Sequence, residues 1–240
     1  MVASSILDKT GFVRLPTIAA AQRAALTKTP CATALPHEVD QALQTLLQRA
    51  CHYIDQALPS ISSTLFDTDS LTTLMQQSLQ ESNNNRNHNH SQEIQASHNH
   101  EDNNNHPPTT PPLKFSSREP AVNVYTPPGG AFLAHKDAQA LTLLVVLSSS
   151  SSDDKDAGNY VSQGGGTAFW TQEARGHRVE APSLIVTPKQ AGTALLFGGC
   201  VTHAGLPVTE GPRVVFVASF SRPTALSTPV QQIVHWDIYI

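Results

Sequence analysis

Residues 121–147 read AVNVYTPPGGAFLAHKDAQALTLLVVL. Two runs rich in β-branched and aromatic residues, Ala121–Thr126 and Leu141–Leu147, lie either side of the turn cluster Pro127, Pro128, Gly129 and Gly130. Apolar β-formers bounded by such turn residues predict strands. Further short runs of the same kind follow toward the C-terminus, at Thr167–Trp170, Leu184–Thr187, Ala194–Phe197 and Val214–Ser219. Polar or glycine-rich breaks separate them, notably Ser148–Gly166 and the pair Gly198 and Gly199. Many short strands with Gly and Pro punctuation and few helices predict an antiparallel β-sandwich or barrel of jelly-roll type.

On the N-terminal side the period changes. From His37 to Leu58 the apolar residues Val39, Leu43, Leu46, Leu47, Ala50 and Ile54 recur at spacings of three and four, the stripe of an amphipathic helix lying on a core. Shorter helices are predicted at Ile18–Lys28 and Ser70–Leu79. Residues 82–112 are rich in Asn and His, almost free of large apolar groups, and end in prolines. Such a segment buries too little surface to offset its ordering entropy and is expected to be a disordered insertion. Its histidines (His88, His90, His98, His100 and His106) read as low-complexity drift rather than as a metal site. The predicted organisation is thus 1–81 helical, 82–112 insertion and 113–240 β-core. The class is α+β, mainly β: a double-stranded β-helix (jelly roll) with N-terminal helices packed on it. The long polar stretch Ser148–Gly166 is expected to be a mobile loop facing substrate.

Composition narrows the function. The 240 residues carry a formal net charge of -4 and only 14% charged residues, with no basic stripe. Nucleic acid is therefore not an expected partner. No apolar run is long enough to cross a bilayer, so no membrane is expected either. Asp8, Lys9 and Arg14 interrupt the N-terminal apolar residues, unlike a secretory signal, which predicts an intracellular protein, cytoplasmic or nuclear. The three cysteines are widely spaced and odd in number; they read as free thiols. Oligomeric state leaves no trace in the sequence.

His135 and Asp137 stand as H-K-D. In extended backbone, side chains two apart share a face, so imidazole and carboxylate can converge on one ion. His203 supplies a third ligand after the run TALLFGGCVT. Two histidines and one carboxylate on one face of an octahedron leave three positions open, the arrangement of non-haem Fe(II) oxygenases. Ten residues on, Arg213 begins the β-branched run RVVFVASF. A guanidinium facing a metal cavity is a receptor for the far carboxylate of a chelating dicarboxylate.

In order, YTPPGGAFLAHKD, LTLLVVL, GGGTAF, GTALLF, HAGLPV and GPR resemble the catalytic core of the Fe(II)- and 2-oxoglutarate-dependent dioxygenases, particularly the prolyl 4-hydroxylase-like branch. The resemblance spans Val122–Ser221. It implies iron held by His135, Asp137 and His203, which are also the catalytic residues. Arg213 would bind the far carboxylate of 2-oxoglutarate, and Tyr125 would line the same pocket. Thr142, the polar group on its strand, would substitute for an aromatic hydroxyl in binding the co-substrate. The implied cofactors are Fe(II), 2-oxoglutarate as co-substrate and O2, with ascorbate as an accessory reductant. The implied reaction is hydroxylation of a C–H bond with release of succinate, on a protein or small-molecule substrate, a prolyl side chain first. Phe132 replaces a tyrosine common in prolyl hydroxylases three residues before the first iron histidine. The presence of Asp137 disfavours the halogenase variant, which lacks this ligand. Phe169 and Trp170 read as packing, Cys200 as a small buried group, His177 and His235 as surface residues, and Arg118 and Lys136 as a solvated face. Two alternatives stay open: a non-catalytic metal-binding jelly-roll module, and a cupin-like metalloenzyme that does not use 2-oxoglutarate.

Overall fold

The computed structural model describes residues 12–18, 20–21, 34–91, 112–148, 163–170, 181–223 and 233–236. The helices are α1 (His37–Ala57), α2 (Pro59–Phe66) and α3 (Leu71–Ser91). The strands are β1 (Phe12–Pro16), β2 (Lys114–Phe115), β3 (Ala121–Tyr125), β4 (Phe132–His135), β5 (Leu141–Val146), β6 (Gln163–Gly164) and β7 (Thr167–Trp170). They continue with β8 (Leu184–Val186), β9 (Ala194–Gly198), β10 (Thr202–Gly205), β11 (Val208–Glu210), β12 (Arg213–Ser221) and β13 (Ile233–Trp236).

The protein is mainly antiparallel sheet with helices. A large sheet runs β1-β3-β12-β5-β9-β13, with β2 also on β12. A second sheet runs β4-β10-β7-β8, and β11 pairs with β6. Along the chain, β4, β5, β7, β9, β10 and β12 fall alternately in the second and the large sheet. Phe169 of the second sheet meets Phe197 of the large one edge-on at 5.1 Å, so the two sheets enclose a shared interior. Side chains alternate across each strand, and burial follows that period. On the large sheet Leu143, Val145, Leu196, Phe216 and Phe220 join the helices in one core. Leu144, Val146, Leu195, Phe197 and Val215 face the second sheet. Because β5 is buried on both faces, its sequence LTLLVV reads as a continuous apolar run rather than an alternating one.

Three differences from the sequence reading have local causes. The N-terminal region is not all helical: FVRLP forms β1, paired with β3 from Phe12↔Tyr125 to Pro16↔Ala121. In α1 Val39 is exposed and the buried stripe starts instead at Asp40, whose carboxylate accepts from Ile18 N and Gln44 Nε2. Helix α3 runs through Ser91, into the stretch expected to lack structure, because extending a packed helix adds a hydrogen bond per residue without a new nucleation cost. The rest of that stretch (92–111), most of the helix expected at 18–28 and residues 149–162 of the expected mobile loop lie outside the described residues. No helix among the described residues is long and apolar enough to cross a membrane.

Candidate metal centre

His135 is the last residue of β4, and His203 lies on β10 directly opposite it in the antiparallel register. The two rings therefore face each other, with centroids 4.3 Å apart. Asp137 follows two residues after His135. Its loop is pressed against the β9–β10 turn, where a Cβ on Gly199 would sit 1.9 Å from the Gln139 carbonyl oxygen. Glycine at 199 thus allows the approach that brings the carboxylate to the histidines. Asp137 Oδ1 is 3.5 Å from His135 Nε2 and its Oδ2 is 3.7 Å from His203 Nε2. One ligand atom from each residue lies within 4.8 Å of the others.

The donor set fits a metal ion. Donors about 2.1 Å from a first-row ion are at most about 4.2 Å apart, and each histidine Nε2 lies within that distance of one oxygen of the Asp137 carboxylate. Each imidazole is also oriented for ligation: Nδ1 of His135 donates to Leu133 O (2.8 Å) and Nδ1 of His203 to Val201 O (3.1 Å). That leaves both Nε2 atoms as the free lone pairs turned toward Asp137. Phe132 stands edge-on to His135 at 4.5 Å and Phe197 packs against His203 at 4.6 Å. His135 is the open side, 32% exposed against 8% for His203.

Charge is balanced inside this group. Burial pushes the Asp137 carboxyl up, but the neighbouring His135 and His203 and the Thr142 hydroxyl together hold it below the usual carboxylate range. Burial and the neighbouring His135 hold the proton affinity of His203 below the usual imidazole range, against the pull of Asp137. Burial works against the charge on His135 too, yet Asp137 and the Leu133 carbonyl keep its affinity for protons raised.

The triad opens into a cavity that also holds Arg213, Tyr125 and Thr167. Arg213 is buried. Its Nη2 donates to Thr167 Oγ1 at 3.0 Å, and its guanidinium lies 5.3 Å from the Tyr125 ring centroid. Among the described residues its Nη1 is buried without a hydrogen-bond partner, and no carboxylate pairs with it. Burial draws its affinity for protons down, against the stabilising neighbour Tyr125, while burial pushes the Tyr125 phenol up despite the opposing charge of Arg213. Gly165, at φ +73°, lets the backbone pass the Arg213 stem, where a Cβ would lie 3.0 Å from Cδ. An unpaired buried donor costs about 1–3 kcal/mol, more on a charged group, a cost that an anion in this cavity would relieve.

Register gives the span between the two ends. Thr167 pairs with Gly205, two residues along β10 from His203. Two residues of strand cover about 6.6 Å along the backbone.

Of the six residues singled out by sequence, five line this cavity. Thr142 does not: instead of facing a co-substrate, its hydroxyl donates to Asp137 Oδ2 at 2.5 Å. Phe169 and Trp170 are packing residues, as expected. Cys200 is partly exposed rather than buried, because it sits on the tight turn before β10. Arg118 and Lys136 are exposed, and the side chains of His177 and His235 lie outside the described residues. The sequence reading missed Arg14, Glu119 and Asn123, which also line the cavity. Arg14 had a signal, the alternation of FVRLP, whereas nothing local marked Glu119.

No protein-family model matches the chain, and neither does any curated protein. Among solved structures, a 2OG-Fe(II) oxygenase family oxidoreductase from Burkholderia pseudomallei matches 51% of this chain and 52% of its own, at 16% identity and a TM-score of 0.34. IDO from Bacillus thuringiensis matches 46% of each chain, at 17% identity and 0.32. The viral collagen prolyl hydroxylase vCPH from Paramecium Bursaria Chlorella virus-1, in its 2OG complex, matches 45% of this chain and 60% of its own, at 21% identity and 0.30. The chain thus spans about half to three fifths of these structures, and the chemistry of the site rests on its own residues.

Proposed function

We propose that the chain is an Fe(II)- and 2-oxoglutarate-dependent oxygenase with a jelly-roll core, hydroxylating a C–H bond of a protein side chain. The observation that carries this reading is the unpartnered Nη1 of buried Arg213 in the cavity of the His135, Asp137 and His203 cluster. His135, Asp137 and His203 would hold Fe(II) through two Nε2 atoms and one carboxylate oxygen. Arg213, steadied by Thr167 and Tyr125, would fix the far carboxylate of 2-oxoglutarate. When bound, the metal and co-substrate couple oxidative decarboxylation of 2-oxoglutarate to succinate and CO2 with O2-dependent hydroxylation. The chain's own part is to orient both partners and keep water out, the work of Phe132, Phe197 and Leu144 in the cavity wall. A prolyl acceptor is proposed from the motif resemblance alone, and the site residues do not select it.

The test is succinate formation from 2-oxoglutarate without added substrate, since such oxygenases can decarboxylate slowly uncoupled. The expected result is turnover that needs Fe(II) and O2 and is lost in His203→Ala. A protein that binds metal but neither binds nor decarboxylates 2-oxoglutarate would instead be the metal-binding module or the cupin-like enzyme.

A further inference from the structure

Between the sheets, where apolar residues dominate, a string of polar groups leads away from the metal centre. Thr142 on β5 and Ser219 on β12 are cross-strand partners, both with no exposed surface. The Thr142 hydroxyl gives its one proton to Asp137 Oδ2, so at 3.2 Å it accepts from the Ser219 hydroxyl. The Ser219 backbone N–H donates to Glu119 Oε2 at 2.7 Å. Glu119, itself buried, has its Oε1 3.5 Å from Arg14 Nη1, and Arg14 Nε donates to Asn123 Oδ1 at 2.9 Å. Buried polar groups in a sheet interior are costly unless every member is satisfied. Here the satisfied chain ends on a candidate metal ligand.

We propose that Thr142 is a positioning residue for Asp137, held in place by the buried relay through Ser219, Glu119 and Arg14. The hydroxyl engages Oδ2 and restrains rotation of the carboxylate, leaving Oδ1, the oxygen nearer His135, as the oxygen offered to the ion. Outer hydrogen bonds of this kind orient ligands and typically contribute about 10–100-fold in metal affinity. The inference rests on the metal reading of the triad, but concerns what Thr142 does within it.

The experiment is Mn(II) binding followed by electron paramagnetic resonance in wild type, Thr142→Val, Thr142→Ser and His203→Ala, with the metal-free melting temperature as the folding control. The expected result is Mn(II) dissociation from Thr142→Val raised about 10–100-fold, with Thr142→Ser restoring wild-type affinity because it keeps the hydroxyl. Equal affinity in Thr142→Val and wild type overturns the positioning role while leaving the metal site standing. Wild type that binds no better than His203→Ala removes the metal reading, and the proposal with it. If Thr142→Val melts below the assay temperature, Ser219→Ala carries the test: it leaves Thr142 in place but takes away the hydroxyl behind it. A severalfold loss of affinity then supports the relay, and an unchanged affinity overturns it.

Discussion

Gly199 and Arg213 are the residues on which the site turns. A methyl at 199 would meet a backbone carbonyl, which cannot swing aside as a side chain can. Gly199→Ala is therefore expected to cost about 3 kcal/mol, the upper end for overpacking, and to weaken Mn(II) binding as the Asp137 loop is forced away; chemical denaturation and a metal titration check both. At Arg213 the shape of the donor matters as well as its charge. Lysine keeps the charge but loses the fork that reaches both Thr167 and a carboxylate. Arg213→Lys is expected to bind 2-oxoglutarate about tenfold more weakly, near 1.4 kcal/mol, with Mn(II) affinity unchanged by calorimetry. At this scale the sequence was informative where residue type and chemistry coincide, as in the H-K-D pair, His203 and Arg213. Thr142 was read as a pocket group because strand periodicity fixes a face but not a partner. Glu119 could not be read at all, because its role depends on the pairing of β12 beside it.

At the level of elements, Asp55 joins three helices. From α1 its carboxylate accepts from the Leu71 and Thr72 amides and the Ser62, Ser70 and Thr72 hydroxyls, so it caps the start of α3 from outside that helix. Asp55→Ala is expected to cost about 2 kcal/mol, at the upper end for a lost cap, read from urea unfolding. Burial alone would raise the Asp55 carboxyl, but the Ser62, Thr72 and Leu71 donors outweigh it and hold it below the usual range. A depressed folded-state pKa means stability that is present above the unfolded value of about 3.9 and lost as pH falls through the lower folded value. Wild type should therefore lose stability more steeply than Asp55→Asn in that acidic window. Elements with one strong period were legible: α1 from its stripe, and β3, β5, β7, β9 and β12 from their apolar runs. Strand β10, THAG, was not, since two small residues and a register shift against β4 leave too little pattern. Helix α2 was missed because eight residues beginning at a proline carry no full apolar stripe.

For the whole molecule, the division of labour lies between the two faces of the large sheet. One face takes the helices and makes an apolar core. The other, opposite β4, β10 and β7, carries Arg14, Asn123, Tyr125, Thr142, Arg213 and Ser219. The β-rich class followed from composition and punctuation, but the assignment of strands to two sheets did not. That depends on long-range pairings such as His135 with His203, which no local period encodes. The central claim, that one cavity takes a metal at one end and a dicarboxylate at the other, is tested most directly by melting temperature under anaerobic conditions. Mn(II) stands in for Fe(II), with 2-oxoglutarate or pyruvate added, in wild type and Arg213→Ala. A ligand at a hundred times its dissociation constant adds about 2.7 kcal/mol, a rise of about 5–10 °C for a chain of this size. The account predicts that rise for wild type with Mn(II) and 2-oxoglutarate together. It predicts little from pyruvate, which has no far carboxylate, and no preference between the two acids in Arg213→Ala. Stabilisation of wild type by Mn(II) alone, with nothing added by 2-oxoglutarate, would contradict it.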